Sequence, residues 1–231
     1  MLDKLSATKT KRRAATPAKA EVTKSETKSV VISKPNFQQA NLTIRGVSPY
    51  VQHAFSQKAL RTMMDTQMAG AQSRKGKIRQ PKDFKEVYEN ATHFSDDGWI
   101  GIPAAAIRNA LISACRTVGF KMTLAKLSLF VVPNGFDKLS RDPLIKITKG
   151  KPYEHFGAAR NSNGSTDVRF RPMWDPGWEA VVTIKWDGDQ FSATDVVNLL
   201  SRVGAQVGLG EGRADSRNSA GMGWGHFEVV T

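Results

Sequence analysis

The sequence is short of the residues from which most catalytic and metal centres are built. It holds one cysteine, Cys115, and four histidines, His53, His93, His155 and His226. A single thiol excludes an internal disulfide and a multi-cysteine zinc site. Cys115 falls inside an apolar helical pattern, where packing is its expected role. The histidines make no H-E-x-x-H pair and no close cluster, so neither a resident metal nor a cofactor is expected. "HFSDD" (93–97) reads as an acidic turn, with a divalent-ion site as the alternative. A G-x-S-x-G element, a G-x-x-x-x-G-K-[ST] loop and a Rossmann fingerprint are also missing, which argues against a nucleophile elbow and a mononucleotide cradle. No apolar run reaches the roughly 18 residues of a membrane span, and no hydrophobic segment follows the basic N-terminus. A cytoplasmic protein without a membrane partner is expected.

Negative charge is scarce too. Lys and Arg number 34 against 21 Asp and Glu, a net charge of +13 with a pI near 10.0. That balance favours polyanionic partners. Part of it lies in residues 1–36, a Lys-, Thr-, Ala- and Ser-rich stretch with "KTKRR" at 9–13 and no apolar period. Such a segment buries too little to offset its ordering entropy, and it is expected to be a disordered basic tail. The remaining 37–231 stay basic and carry the apolar patterns of one domain.

Within that domain, "NLTIRGV" (41–47) alternates as a strand, and "YVQHAFSQKALRTMMDTQM" (50–68) reads as a helix with Phe55, Ala59 and Met63 on one face. The loop "AGAQSRKGKIRQPKDFKE" (69–86) is basic, with Arg74, Lys75 and Lys77 as candidate contacts. Residues 99–119 form the clearest helix, with Pro103 at its start and Ile107, Leu111, Ala114 and Val118 facing inward. Strands are expected at 126–134, 143–150 and 166–174. The strongest is 178–190, where Trp178, Ala180, Val182, Ile184 and Trp186 share one face. A capping-box-like Ser192 and Asp195 open a second helix, and "HFEVV" (226–230) is the last strand. Reduced to firm elements, the order is βαββαβ with insertions at about 50–100 and 134–175. It predicts an α+β fold, a ferredoxin-like or RRM-type antiparallel sheet with two helices on one face.

Seven of the 19 glycines lie between Gly204 and Gly225, interleaved with Arg213 and Arg217 and preceded by Arg202. Glycines let main-chain amides converge on an anion, and arginines add fork-shaped donors for phosphate. The alternative is a connector that returns the last strand to the sheet. The segment "GLGEGRADSRNSAGMGWGHFEVV" after a helix resembles the C-terminal glycine-rich loop of the RAMP superfamily, the CRISPR-associated RNA-binding proteins. "LTIRGVSPYVQHAFSQKA" is similar to the opening of uncharacterised phage and prophage proteins. The long insertions look most like the backbone subunits that polymerise along a guide RNA.

The resemblance implies that Gly208, Gly210, Gly212, Gly221, Gly223 and Gly225 shape a loop against helix 192–204 and a bound strand. It also implies that 134–175 matches a thumb region, where Lys146, Arg169 and Arg171 are candidate contacts. The expected function is that of a self-assembling structural subunit binding single-stranded RNA or DNA along its backbone, as a homo-oligomer or filament with other subunits as possible partners. The hinge of small residues is expected to sit on an open sheet. One rival is a metal-independent endoribonuclease using His53 with Tyr50 and Lys58, for which a solely packing or passive His53 is the bland alternative. Others are a phage strand-annealing protein acting on single-stranded DNA and a structural phage component.

Overall fold

The computed structural model describes residues 32–55, 57–68, 83–160, 166–216 and 221–230. Most of the tail 1–36, and the basic loop with Arg74, Lys75 and Lys77, lie outside the described residues. In chain order the elements are β1 (Phe37–Gly46), β2 (Tyr50–Val51), α1 (Gln57–Met68), α2 (Phe84–Ala91), β3 (Gly101–Pro103), α3 (Ala104–Thr117) and α4 (Met122–Ser128). They continue with β4 (Leu129–Val132), β5 (Gly135–Phe136), β6 (Pro143–Lys149), β7 (Tyr153–Arg160), β8 (Thr166–Trp174) and β9 (Glu179–Asp187). The last are α5 (Ala193–Arg202), a π turn (Val203–Val207) and β10 (Phe227–Val230).

All pairings of the main sheet are antiparallel, with β1 between β10 and β9. The far edge of β9 is shared: β4 pairs from Leu129↔Trp186 to Val132↔Thr183, and β6 meets its start at Ile147↔Ala180. Placing β10, β1, β9 and β4 side by side gives the ferredoxin-like, RRM-type order expected from the sequence, with α3 and α5 as the crossover helices. A separate sheet of order β2-β8-β7 is built from the insertions, and α2 rests on it through Phe84 and Tyr88, both edge-on to Phe170.

Periodicity explains the core. On β9 the buried residues Ala180, Val182, Ile184 and Trp186 alternate with half-buried ones. Ile107, Leu111 and Ala114 of α3 and Val196, Leu199 and Leu200 of α5 close over that face. Each large side chain so buried stabilises the fold by about 1.5–3 kcal/mol. Ser192 caps α5 as expected, its hydroxyl accepting from the Asp195 amide at 3.1 Å while the Asp195 carboxylate accepts from the Ser192 amide at 2.9 Å.

Three local expectations are corrected. Residues 50–68 are not one helix: Tyr50 and Val51 pair with Trp174 and Met173, and α1 starts only at Gln57. Phe55, Met63 and Met64 are exposed. The helix expected from 99 starts after β3, with Pro103 as its N-cap, and Val118 is its exposed C-cap.

Candidate nucleic-acid interface

A cleft of about 1530 Å³ opens beside α3. One wall is the α3 face carrying Ala106, Asn109 and Ser113, with Lys126 of α4 beyond it. A second part of the lining is the glycine segment, Val207 to Arg213 with Asp215. The third side is made by Gln52, His53 and His93 and by Ala158 and Arg169 of the β7–β8 hairpin.

The glycine wall follows from how α5 ends. Beyond Arg202 the helix widens into the π turn, and Gly208 stops it with its N–H donating to the Val203 carbonyl at 2.8 Å. Gly208, Gly210, Gly212, Gly221, Gly223 and Gly225 all have φ between 70° and 78°. At Gly210 a Cβ would lie 2.4 Å from the Val51 carbonyl oxygen, and at Gly225 one would lie 1.8 Å from that of Leu209. Only glycine fits such approaches at positive φ. The segment's amides are largely spent inside the fold: Leu209 donates to Gly225, Glu211 to Val51, Met222 to Gly212 and Gly225 to Pro49. The expected open-sheet hinge with amides converging on phosphate is therefore replaced by a folded wall in the helix layer. Ser113 and Arg116 fasten it to α3 by bonding the Asp215 carboxylate. Those bonds hold that carboxyl below its ordinary value, the Ser113 hydroxyl contributing most.

Side chains carry the positive charge of the cleft. Arg213 stands on the glycine wall, its Nη1 donating to the Gly210 carbonyl at 3.0 Å, and exposed Lys126 lines the same cleft. Arg169 and Arg171 of β8 both reach Glu211, which sits between Gly210 and Gly212. Arg169 Nη1 lies 3.1 Å from Oε1, and Arg171 Nη1 contacts Oε2. Arg171 is buried.

The structure thus gathers Gly208, Gly210, Gly212, Arg213, Arg169 and His53 around one cleft. It leaves Arg202 exposed at the end of α5, outside the lining. Lys146 is elsewhere, on β6 with its ammonium 6.0 Å from the Trp99 ring centre. Arg217 lies outside the described residues, as does the Lys58 side chain.

His53 keeps much of its ring in solvent at the cleft side, yet its pKa is lowered to about 4. Partial burial is the first cause, followed by the Arg171 and Arg169 charges and by His93. Tyr50, expected beside it as a proton-transfer group, also lines the cleft. It is buried between Trp174 and Trp178, its oxygen accepts from Gln52 Nε2 at 3.4 Å, and burial pushes its pKa up. "HFSDD" is not a ligand cluster either. His93 Nδ1 is 3.0 Å from Asp137 Oδ2, while Asp96 pairs with Arg141. Among the described residues no group of three or more His, Cys, Asp or Glu is placed to hold a metal ion. Burial alone would raise the Asp137 carboxyl. The Ser140 and Leu139 amides and His93 outweigh it and hold the group below its usual range.

Sequence reasoning missed Glu211, Lys126, Asp137 and Asp215. The first was legible only as the acid inside a glycine run, and the other three carry no pattern pointing to the cleft.

No family model matches the sequence, and no curated protein matches it. Among solved structures, the chain is similar to one in a cryo-EM structure of the Type III-B Cmr-beta bound to cognate target RNA. That similarity has 10% identity and a TM-score of 0.47, covering 85% of this chain. This chain spans 60% of the length of that one.

Proposed function

We propose that the protein binds single-stranded nucleic acid, RNA foremost, by its sugar–phosphate backbone along this cleft, and does so as a structural subunit of an assembly. The observation that carries the reading is the cleft itself, whose walls bring Lys126, Arg213 and Arg169 together from three separate parts of a chain with net charge +13. A groove bordered by cations attracts a polyanion without reading its sequence. Asn109, Ser113 and the imidazole of His53 add hydrogen-bonding groups for sugar and phosphate. The apolar side chains exposed on and beside α1, Phe55, Met63 and Met64 among them, support the assembly part of the reading.

The test is fluorescence anisotropy with labelled single-stranded RNA, single-stranded DNA and duplex over a salt series. Affinity is expected to fall linearly on a log–log plot, and Lys126→Gln should reduce the slope by about 0.7, the value of one phosphate neutralised on a single strand. Salt-insensitive binding, or preference for duplex, would overturn the reading. Light scattering with oligonucleotides of increasing length checks whether protein copies accumulate along the strand.

A second reading, metal-independent RNA cleavage, is favoured by one observation: His53 borders the cleft and is held neutral beside Arg169 and Arg171. A neutral imidazole can take the 2′-hydroxyl proton as that oxygen bonds to phosphorus, guanidiniums stabilise the charge that develops on the non-bridging oxygens, and the departing 5′-oxygen takes its proton from water or from the imidazolium so formed. Cleavage of a hairpin RNA in chelator that disappears in His53→Ala would establish it.

A further inference from the structure

Glu211 is the only acidic residue in the glycine wall between Val207 and Arg213, and it is clamped by two arginines. Arg169 and Arg171 stand two residues apart on β8, so their side chains leave the same face. Each reaches a different oxygen of the one carboxylate. The loop delivers that carboxylate from a fixed backbone, with the Glu211 amide bonded to the Val51 carbonyl at 2.9 Å and a positive-φ glycine on either side. The two guanidiniums thus share the Glu211 carboxylate next to His53, whose titration both of them shift.

We infer that Arg169 and Arg171 form a phosphate subsite whose resident occupant is Glu211, and that a nucleic-acid phosphodiester binds there by displacing this carboxylate. The inference rests on the cleft reading above and adds a threshold to it. The non-bridging oxygens of a phosphodiester present negative charge over nearly the same span as a carboxylate, so they suit the same guanidinium pair. The exchange opens to the cleft on the Arg169 side. The side chains of Arg169 and Glu211 are 31% and 22% exposed and border the cleft, whereas Arg171 is 9% exposed and acts as the fixed anchor. Displacement costs the internal pair, so a short or weakly charged ligand leaves Glu211 in place. A continuous strand that is already held at Lys126 and Arg213 can supply the difference through its local concentration.

The experiment compares wild type and Glu211→Gln for binding a labelled oligouridylate over a salt series, with thermal unfolding and near-ultraviolet circular dichroism as fold controls. The expected result is tighter binding by Glu211→Gln at every salt concentration, because the strand no longer has to displace a carboxylate from the arginine pair. Arg169→Gln should weaken wild type and abolish the gain in the Glu211→Gln background. If Glu211→Gln does not fold, Glu211→Asp, which withdraws the carboxylate by one methylene, should shift affinity in the same direction by less. Unchanged or weaker binding in the folded variant, while wild type keeps its salt-dependent affinity, overturns the subsite alone. Wild type that fails to bind the oligouridylate overturns the cleft reading and the subsite with it.

Discussion

His53 illustrates how a side chain beside a basic cleft becomes a reporter of that cleft. Its folded pKa of about 4 lies below the ordinary value of about 6.5. Between those pH values the unfolded chain takes up a proton that the folded ring refuses. Stability therefore declines as pH falls through that window and levels off below the folded value. Urea denaturation at stepped pH should show a shallower decline for His53→Asn over the same range. The effect is modest because the ring is partly in water. Asp137 acts at lower pH: its depressed carboxyl contributes stability above the usual aspartate value, and this is lost as pH drops through its folded pKa. Gly210 tests the wall. Gly210→Ala places a Cβ against the Val51 carbonyl at positive φ, and a loss of about 1–3 kcal/mol is expected in chemical denaturation. Glycine substitutions here therefore report on the fold before they report on binding.

Among elements, those whose pattern and partner agree were legible. The alternation of β9 and the apolar stripe of α5 each bury the face that their periodicity marks. Leu111→Ala on α3 removes a fully buried side chain and should cost about 2–5 kcal/mol, while Ser192→Ala should cost about 1 kcal/mol because the helix cap is removed. Denaturant midpoints at constant m-value check both. Residues 50–68 were misread because Tyr50 and Val51 are claimed by β8, more than a hundred residues away, a pairing that no local period records. The rest of the small second sheet was hidden by weak patterning: β7 has only the faint alternation of "YEHFGAAR", and its strand character comes from its antiparallel neighbour β8.

For the whole molecule, the clearest expectation is electrostatic. Binding should weaken steeply with salt, and Arg213→Gln and Lys126→Gln should each flatten the dependence, by about 0.7 for each phosphate that is no longer neutralised. Lys146→Gln, on β6 and away from the cleft, is the control that should leave the slope unchanged. The βαββαβ order of the ferredoxin-like sheet and the buried faces of β9 and α5 were determined by the sequence alone, because alternation, helical period and caps act over a few residues. Only the tertiary structure decided that the glycine segment lines the helix layer, that its amides close on the protein's own carbonyls, and that Arg169 and Arg171 meet Glu211. The reason is physical. A charge finds its partner by distance in space, and the 42 residues separating Arg169 from Glu211 carry no periodic signal of that meeting.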